Sequence, residues 1–208
     1  MLSLIERRCF STFGRRNIRR LTLVPAAVRN SDVLVPSLAT ERLVLRATRI
    51  DNWESYAAMW ADPRVTEFIG GEPRPRDVAW TKFCQGAGFW PLLGYGYWSI
   101  IDRDNNYVGV GGFARHERGI VELGTHPECG WTFAPDSWGR GIATEAIAAV
   151  VGWADAALRV ETRCLISNGN IASIKVAERN GYVRSASLAD DSAVFRRPAQ
   201  AGADQAPA

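Results

Sequence analysis

The segment that most constrains this chain is Trp138-Gly139-Arg140-Gly141-Ile142-Ala143-Thr144-Glu145-Ala146. Before it, Cys129-Gly130-Trp131-Thr132-Phe133 reads as a strand and Pro135-Asp136-Ser137 as the turn leaving it. After it, Ile142, Ala146, Ala149, Val150, Trp153 and Ala157 recur at helical spacing and form one apolar stripe. The unit is a strand, a glycine loop and a helix N-terminus. Backbone N–H groups at such a helix start lack intrahelical partners, and the helix dipole adds partial positive charge. A place of that kind has two readings: a tight strand-to-helix turn, or a phosphate site in which glycine lets the backbone approach the ligand and Arg140 supplies a forked cation.

The common phosphate motifs do not fit. A nucleoside-triphosphate P-loop ends in Gly-Lys-Ser/Thr, whereas Arg140-Gly141-Ile142 stands here, and the G-x-G-x-x-G spacing of a dinucleotide fingerprint is missing. Gly109-Val110-Gly111-Gly112 comes closer, but Phe113-Ala114-Arg115-His116 continues as a strand instead of opening a helix. Those glycines are expected at a bulge or a close backbone approach within a strand.

Element signals run through the rest of the chain. Glu41 to Arg46 alternates as a half-buried strand, and Asp51 is expected to cap a helix carrying Trp53, Tyr56, Ala57 and Trp60 that stops before Pro63. A second helix is expected over 76–90, with Val78, Trp80 and Phe83 as its apolar content. Strands follow at Tyr97–Ile101 and Tyr107–Arg115 around the turn Asp104-Asn105-Asn106, then a strand pair through Val121–Leu123 and Glu128–Phe133. Beyond the glycine-loop helix, Val160–Ile166 reads as a strand and Asn170–Asn180 as a short helix closed by Gly181. Tyr182–Leu188 and Ala193–Arg196 read as a closing hairpin. This order gives an α/β protein of the α+β kind, with a mixed sheet carrying helices rather than a run of βαβ repeats.

Charge divides the chain. Residues 1–30 carry seven Arg against Glu6, a net +6, while the remaining 18 bases and 21 acids leave −3. A mildly acidic body offers no broad footprint for nucleic acid. We expect a basic, poorly ordered arm over 1–37, a single domain over 38–198 and a disordered tail over 199–208. The arm has two readings, an Arg-rich organelle transit peptide or an over-extended start or flexible arm of a bacterial protein. The Ala/Arg bias and the Ala-Gly-Pro tail favour the second, and with it a cytoplasmic setting. No apolar run is long enough to span a membrane. Cys9, Cys84, Cys129 and Cys164 are widely spaced and His116 and His126 are the two histidines, so neither a disulfide framework nor a metal is expected.

A second constellation, Asn168-Gly169-Asn170-Ile171-Ala172-Ser173, sits where the strand at 160–166 enters a helix. Asn170 as an N-cap and Ser173 three residues on explain it locally. Two strand-to-helix loops about thirty residues apart also allow one extended ligand, with a pyrophosphate in one loop and the remainder in the other.

With these residues in hand, the chain resembles the GNAT family of acetyl-CoA-dependent N-acetyltransferases over about residues 38–198, in particular its RimJ/RimL-like branch, the ribosomal-protein N-terminal acetyltransferase type. The matching features are Glu41-Arg42-Leu43-Val44-Leu45-Arg46, Gly130-Trp131, the 138–146 segment, Asn170-Ile171-Ala172-Ser173 and Ala177-Glu178-Arg179-Asn180-Gly181-Tyr182. Trp138 stands where the family signature Gln/Arg-x-x-Gly-x-Gly/Ala begins with Gln or Arg, which leaves Arg140 as the side-chain cation. The resemblance implies a central, mostly antiparallel twisted sheet flanked by helices. It implies pantetheine along the backbone of Trp131, Thr132 and Phe133, with Asn170 bonding that arm. The pyrophosphate would lie in the loop of Trp138, Gly139, Arg140, Gly141, Ile142, Ala143 and Thr144.

Acetyl transfer from a thioester needs a neutral amine, a stabilised oxyanion and a protonated thiolate. Deprotonating an α-amino group or a lysine costs no more than about 4.5 kcal/mol at neutral pH. By resemblance Glu128 is the candidate base, directly or through a water, with Glu122 as its rival; Ser173 is the candidate acid for the CoA thiolate. A strand N–H near Phe133 would meet the oxyanion. Cys129 points away from Glu128 by alternation and belongs to the core. Of the aromatics between 64 and 98, most belong to the core and a few shape the acceptor side. The acceptor is expected to be a protein N-terminus or a small-molecule amine, and the protein a monomer or homodimer. Two other classes remain open, a non-catalytic acyl-CoA-binding or regulatory domain and a P-loop nucleotide binder.

Overall fold

Alternating residues build the sheet strand by strand. On β2 (Leu43–Arg46), Leu43 and Leu45 are fully buried while Val44 and Arg46 are half-buried. This strand pairs with β1 (Leu38–Ala39) and with β3 (Tyr97–Asp102). With β4 (Tyr107–Ala114), β5 (Glu128–Phe133), β6 (Thr162–Ser167), β7 (Val183–Ser187) and β8 (Ser192–Arg197) they form one mixed sheet, ordered β1-β2-β3-β4-β5-β6-β8-β7. Only β5 and β6 are parallel, and the crossover joining them is α4 (Ile142–Ala157), the helix that the glycine loop opens. The computed structural model describes residues 35–200, which fall in one compact unit. The expected arm and tail lie outside the described residues, apart from 35–37 and 199–200.

Two apolar clusters flank the sheet. Trp98, Ile100, Phe113, Cys129 and Phe133 pack with Ile142, Ala146, Ile147 and Val150 of α4. Trp153 adds edge contacts to Trp90 and Trp98, with ring centroids 5.3 and 5.1 Å away; such pairs contribute about 0.5–1.5 kcal/mol beyond area burial. On the other face, Tyr107 and Val110 pack against Tyr56, Met59 and Trp60 of α1 (Trp53–Ala61) and Ala79 and Phe83 of α3 (Arg76–Leu93). Three glycines of β4 are close approaches, as expected. A Cβ at Gly109 would lie 2.5 Å from the Thr132 carbonyl oxygen, one at Gly112 would strike the Gly96 carbonyl, and one at Gly111 would press on Ile147 and Ile100.

Several expectations are corrected. Val121–Leu123 is a turn, not a strand: Leu123 and Gly124 donate back to Ile120 and Val121, and β4 pairs directly with β5. Val121 is 85% exposed, so its apolar character carries no packing information. Asp51 is not a cap; it lies in a 3-10 turn (Ile50–Asn52) and reaches Arg46 at 3.8 Å, while buried Asn52 accepts from the Arg49 N–H. A short helix α2 (Pro63–Thr66) follows α1, with Pro at its first turn and Asp62 accepting the Arg64 N–H at 2.9 Å. α3 runs past 90 to a left-handed Gly94, and Val78 and Trp80 are exposed rather than core. The closing strands do form a hairpin, but β8 inserts between β6 and β7.

Candidate active site

The parallel ladder between β5 and β6 is confined to one position, Glu128↔Arg163, with the Arg163 N–H on the Pro127 carbonyl. Past it the strands part, and the opening leads into a cleft of about 680 Å³ lined by both of them, by α3 and by the loop after β4. A second cleft of about 390 Å³ adjoins it and shares Trp131, Thr132, Asn170 and Ser173 in its wall.

Strand geometry decides which β5 backbone groups face the opening. Pro127 turns its carbonyl to β6, and Ala134 gives its N–H to Val108 of β4. Alternation therefore directs the groups of Trp131 and Phe133 to the open side and those of Thr132 to β4. Of the three residues expected along pantetheine, Thr132 thus presents its side-chain face and not its backbone. The Phe133 carbonyl accepts the Trp138 indole N–H at 2.9 Å, which leaves its N–H as the available group.

The glycine loop forms the far end of the second cleft. Gly139 (φ +72°) and Gly141 (φ +77°) both occupy the left-handed region, which is why two glycines are needed to swing the chain into α4. Gly141 is the N-cap of α4 and supplies no side-chain cap, so the first N–H groups of the helix remain donors. Trp138, Gly139, Gly141, Ile142, Ala143 and Thr144 line this cleft. Arg140 does not: it is exposed, and its carbonyl accepts Arg42 Nη1 at 2.8 Å. The cations in the wall are Arg64, Lys175 and Arg179. An unfilled helix start, left-handed glycines and side-chain cations together fit a pyrophosphate.

α5 (Ile171–Arg179) carries the second constellation. Asn170 Oδ1 caps the helix through the Ser173 N–H at 3.0 Å, the local role anticipated for it. Its Nδ2 and the Ser173 hydroxyl make no hydrogen bond among the described residues, and both residues border the two clefts.

Glu128 sits at the apex of the opening, with its side chain largely covered. One oxygen, Oε2, is held by Arg118; Oε1 has no hydrogen-bond partner among the described residues. Tyr97 stands beside it, with its hydroxyl in the space that Gly130 leaves by lacking a side chain. Burial, reinforced by the Glu128 charge, pushes the Tyr97 phenol well above its usual range. His116 lies on the same wall, edge-on to Phe89 at 5.6 Å. Burial lowers its pKa from 6.5, against the pull of Glu128 and together with the push of Arg118 and Lys82. The Cys129 thiol is pushed up to about 12 by burial, as suits a core residue. Glu122 is not in either wall.

Sequence reasoning missed Arg118, His116 and Lys82 as members of this wall, and had Tyr97 only as one of the aromatics between 64 and 98. Two weak signals existed. Gly130 in a strand marks a bulky neighbour, and Lys82 is one of only two lysines in a chain with 23 arginines. No group of three or more His, Cys, Asp and Glu side chains able to hold a metal occurs among the described residues.

The profile of the Acetyltransferase (GNAT) domain matches residues 42–183. An uncharacterized N-acetyltransferase p20 from Bacillus licheniformis is 25% identical over 160 residues, 74% of this chain and 86% of that protein. The crystal structure of an acetyltransferase from Agrobacterium tumefaciens shares 30% identity at a TM-score of 0.70, covering 78% of this chain and 94% of that one. A spermidine N-acetyltransferase from Vibrio cholerae, in complex with CoA and spermine, has the same fold at 16% identity and a TM-score of 0.60, covering 76% and 94%.

Proposed function

The chain belongs to the GNAT acetyltransferase family, and from that premise we propose that it moves an acetyl group from acetyl-CoA to a primary amine by direct attack in a ternary complex. The observation that carries the reading is the parting of β5 from β6 just past Glu128↔Arg163. It leaves the N–H and carbonyl of Trp131 and the N–H of Phe133 unpaired between a carboxylate and an open helix start. Pantetheine amides pair with such an edge as an added strand does. The first N–H groups of α4 hold the pyrophosphate, and the Asn170 amide reaches the arm between them.

Acetyl-CoA supplies an activated acyl group. Glu128 Oε1 takes the proton of the ammonium, directly or through a water, and the freed amine attacks the thioester carbonyl. The Phe133 N–H meets the oxyanion of the tetrahedral intermediate. Collapse breaks the C–S bond; the thiolate takes its proton from the Ser173 hydroxyl, and the second proton shed by the attacking nitrogen returns to Ser173. Arg118, on the other Glu128 oxygen, fixes the carboxylate without covering Oε1. The RimJ/RimL-like motifs make a protein N-terminus one acceptor class and a small amine the other. The Vibrio cholerae fold relative is named for spermidine; here Lys82, Arg74 and Arg118 in the wall disfavour a polycation.

The test is thiol release from acetyl-CoA against a panel of peptides and small amines, paired with thermal unfolding in the presence of CoA. Turnover with an amine and a CoA-dependent rise in Tm support the proposal. Binding of CoA with no product from any amine overturns it.

A further inference from the structure

Building on the acetyl-transfer reading, we infer that the acceptor is a small primary amine that also carries an anionic group, held by Lys82 on the α3 wall of the larger cleft. Lys82, Gln85, Gly86 and Phe89 fall at i, i+3, i+4 and i+7 and form the face that α3 turns to this cleft. Lys82 is half-buried there and makes no ion pair among the described residues.

The charges around it are of its own sign. Burial lowers its pKa, and Arg74 and Arg118 lower it further; no carboxylate opposes them. Arg118 is already committed to Glu128. Arg74 donates through Nη2 to the Ile69 carbonyl, while its buried Nε has no partner. Asp190, another acid of the cleft, accepts the Ser192 hydroxyl. Glu67, the remaining one, pairs with neither Arg74 nor Lys82.

A half-desolvated ammonium that shares a cleft wall with two guanidiniums is costly by itself and is relieved by a ligand that brings the missing negative charge. Arg118 couples this point to the reacting centre, since it binds Glu128 and its charge is felt at Lys82. One small molecule therefore satisfies both ends, its amine at Glu128 and its anion at Lys82. A carboxylate and a phosphate both meet this requirement.

The experiment compares initial rates of thiol release for matched acceptors: β-alanine against β-alaninamide, O-phosphoethanolamine against ethanolamine, with spermidine and a neutral peptide alongside. At least one anionic member should exceed its neutral partner in kcat/KM by about tenfold, the scale of one charge-assisted hydrogen bond. Which pair responds separates carboxylate from phosphate. Lys82→Met should abolish that preference by raising KM for the anionic partner, and Lys82→Arg should restore part of it. Equal or better use of the neutral or polycationic amines overturns the inference and leaves acetyl transfer standing, as does a preference that survives in Lys82→Met. Failure of every amine, with CoA still raising Tm, overturns the acetyl-transfer reading and this inference together.

Discussion

Arg42 grips Glu145 from 103 positions away, with Nε 2.6 Å from Oε2, while its Nη1 reaches the Arg140 carbonyl. The Arg42 backbone N–H and the Thr40 hydroxyl take the other carboxylate oxygen, Oε1. The segment between β1 and β2 thus fixes the first turn of α4 and the middle of the glycine loop at once. Together with the Trp138 indole bond to the Phe133 carbonyl, it holds the shape of a loop with two left-handed glycines.

Arg42→Ala should therefore raise the KM for acetyl-CoA several-fold and shrink the CoA-induced rise in Tm, with kcat little changed. Because Arg42 is 44% exposed, the loss of folding stability should be modest, roughly 1 kcal/mol in urea unfolding. A variant with normal acetyl-CoA saturation would show that the clamp does not shape the loop.

Glu145 adds a pH signature. Burial raises its carboxyl pKa, but the bonds from Thr40 and Arg42 outweigh this and the net shift is downward from 4.5. A depressed folded-state value contributes stability that is fully present above 4.5 and is lost as pH falls through the folded pKa. Glu145→Gln should lower stability at neutral pH and flatten the acid limb of the stability curve. An acid limb parallel to that of the wild type would contradict the assignment.

Much of this was readable from local pattern, and the limits are physical. The strand, glycine loop and helix that border the second cleft announce themselves because period-2 and period-3.6 spacings, glycine and caps are short-range signals. Asn170 as cap and Cys129 as core follow the same logic. What escaped is tertiary. Nothing near Arg42 announces Glu145, nothing near Glu128 announces Arg118, and the insertion of β8 between β6 and β7 is a long-range pairing. Val121 misled because an apolar residue is informative only when something buries it.

Glu128→Gln should cut kcat by about 10²–10⁴-fold, the range for losing a positioned general base, and Ser173→Ala by a smaller factor. The loss in Glu128→Gln should narrow as pH approaches the pKa of the acceptor amine, because the substrate then arrives already deprotonated. If both variants turn over like the wild type at every pH, neither residue has its proposed role.

His116 offers a check that does not involve turnover. Its pKa is lowered from 6.5, chiefly by burial, so the folded protein protonates it less readily than the unfolded chain. The contribution to stability is full above 6.5 and is lost as pH falls through the folded value. His116→Gln should match the wild-type stability trend above that point and lose less stability below it. Identical curves on the acid side would place the imidazole in open water instead of against Phe89.

Gly130 and Tyr97 should behave as one unit. A Cβ on Gly130 would stand 2.7 Å from the Tyr97 hydroxyl but 3.5 and 3.6 Å from Cε1 and Cζ, so the clash is with one atom alone. Gly130→Ala should destabilise by about 1–3 kcal/mol through overpacking and impair turnover by driving the phenol into the cleft beside Glu128. Tyr97→Phe removes that atom and leaves ordinary contact distances. In the Tyr97→Phe background, then, Gly130→Ala should cost little, and a double-mutant cycle in urea should return most of the single-variant penalty as coupling. Additive costs would mean that the phenol is free to move aside, and that Gly130 serves the strand and not its neighbour across the sheet.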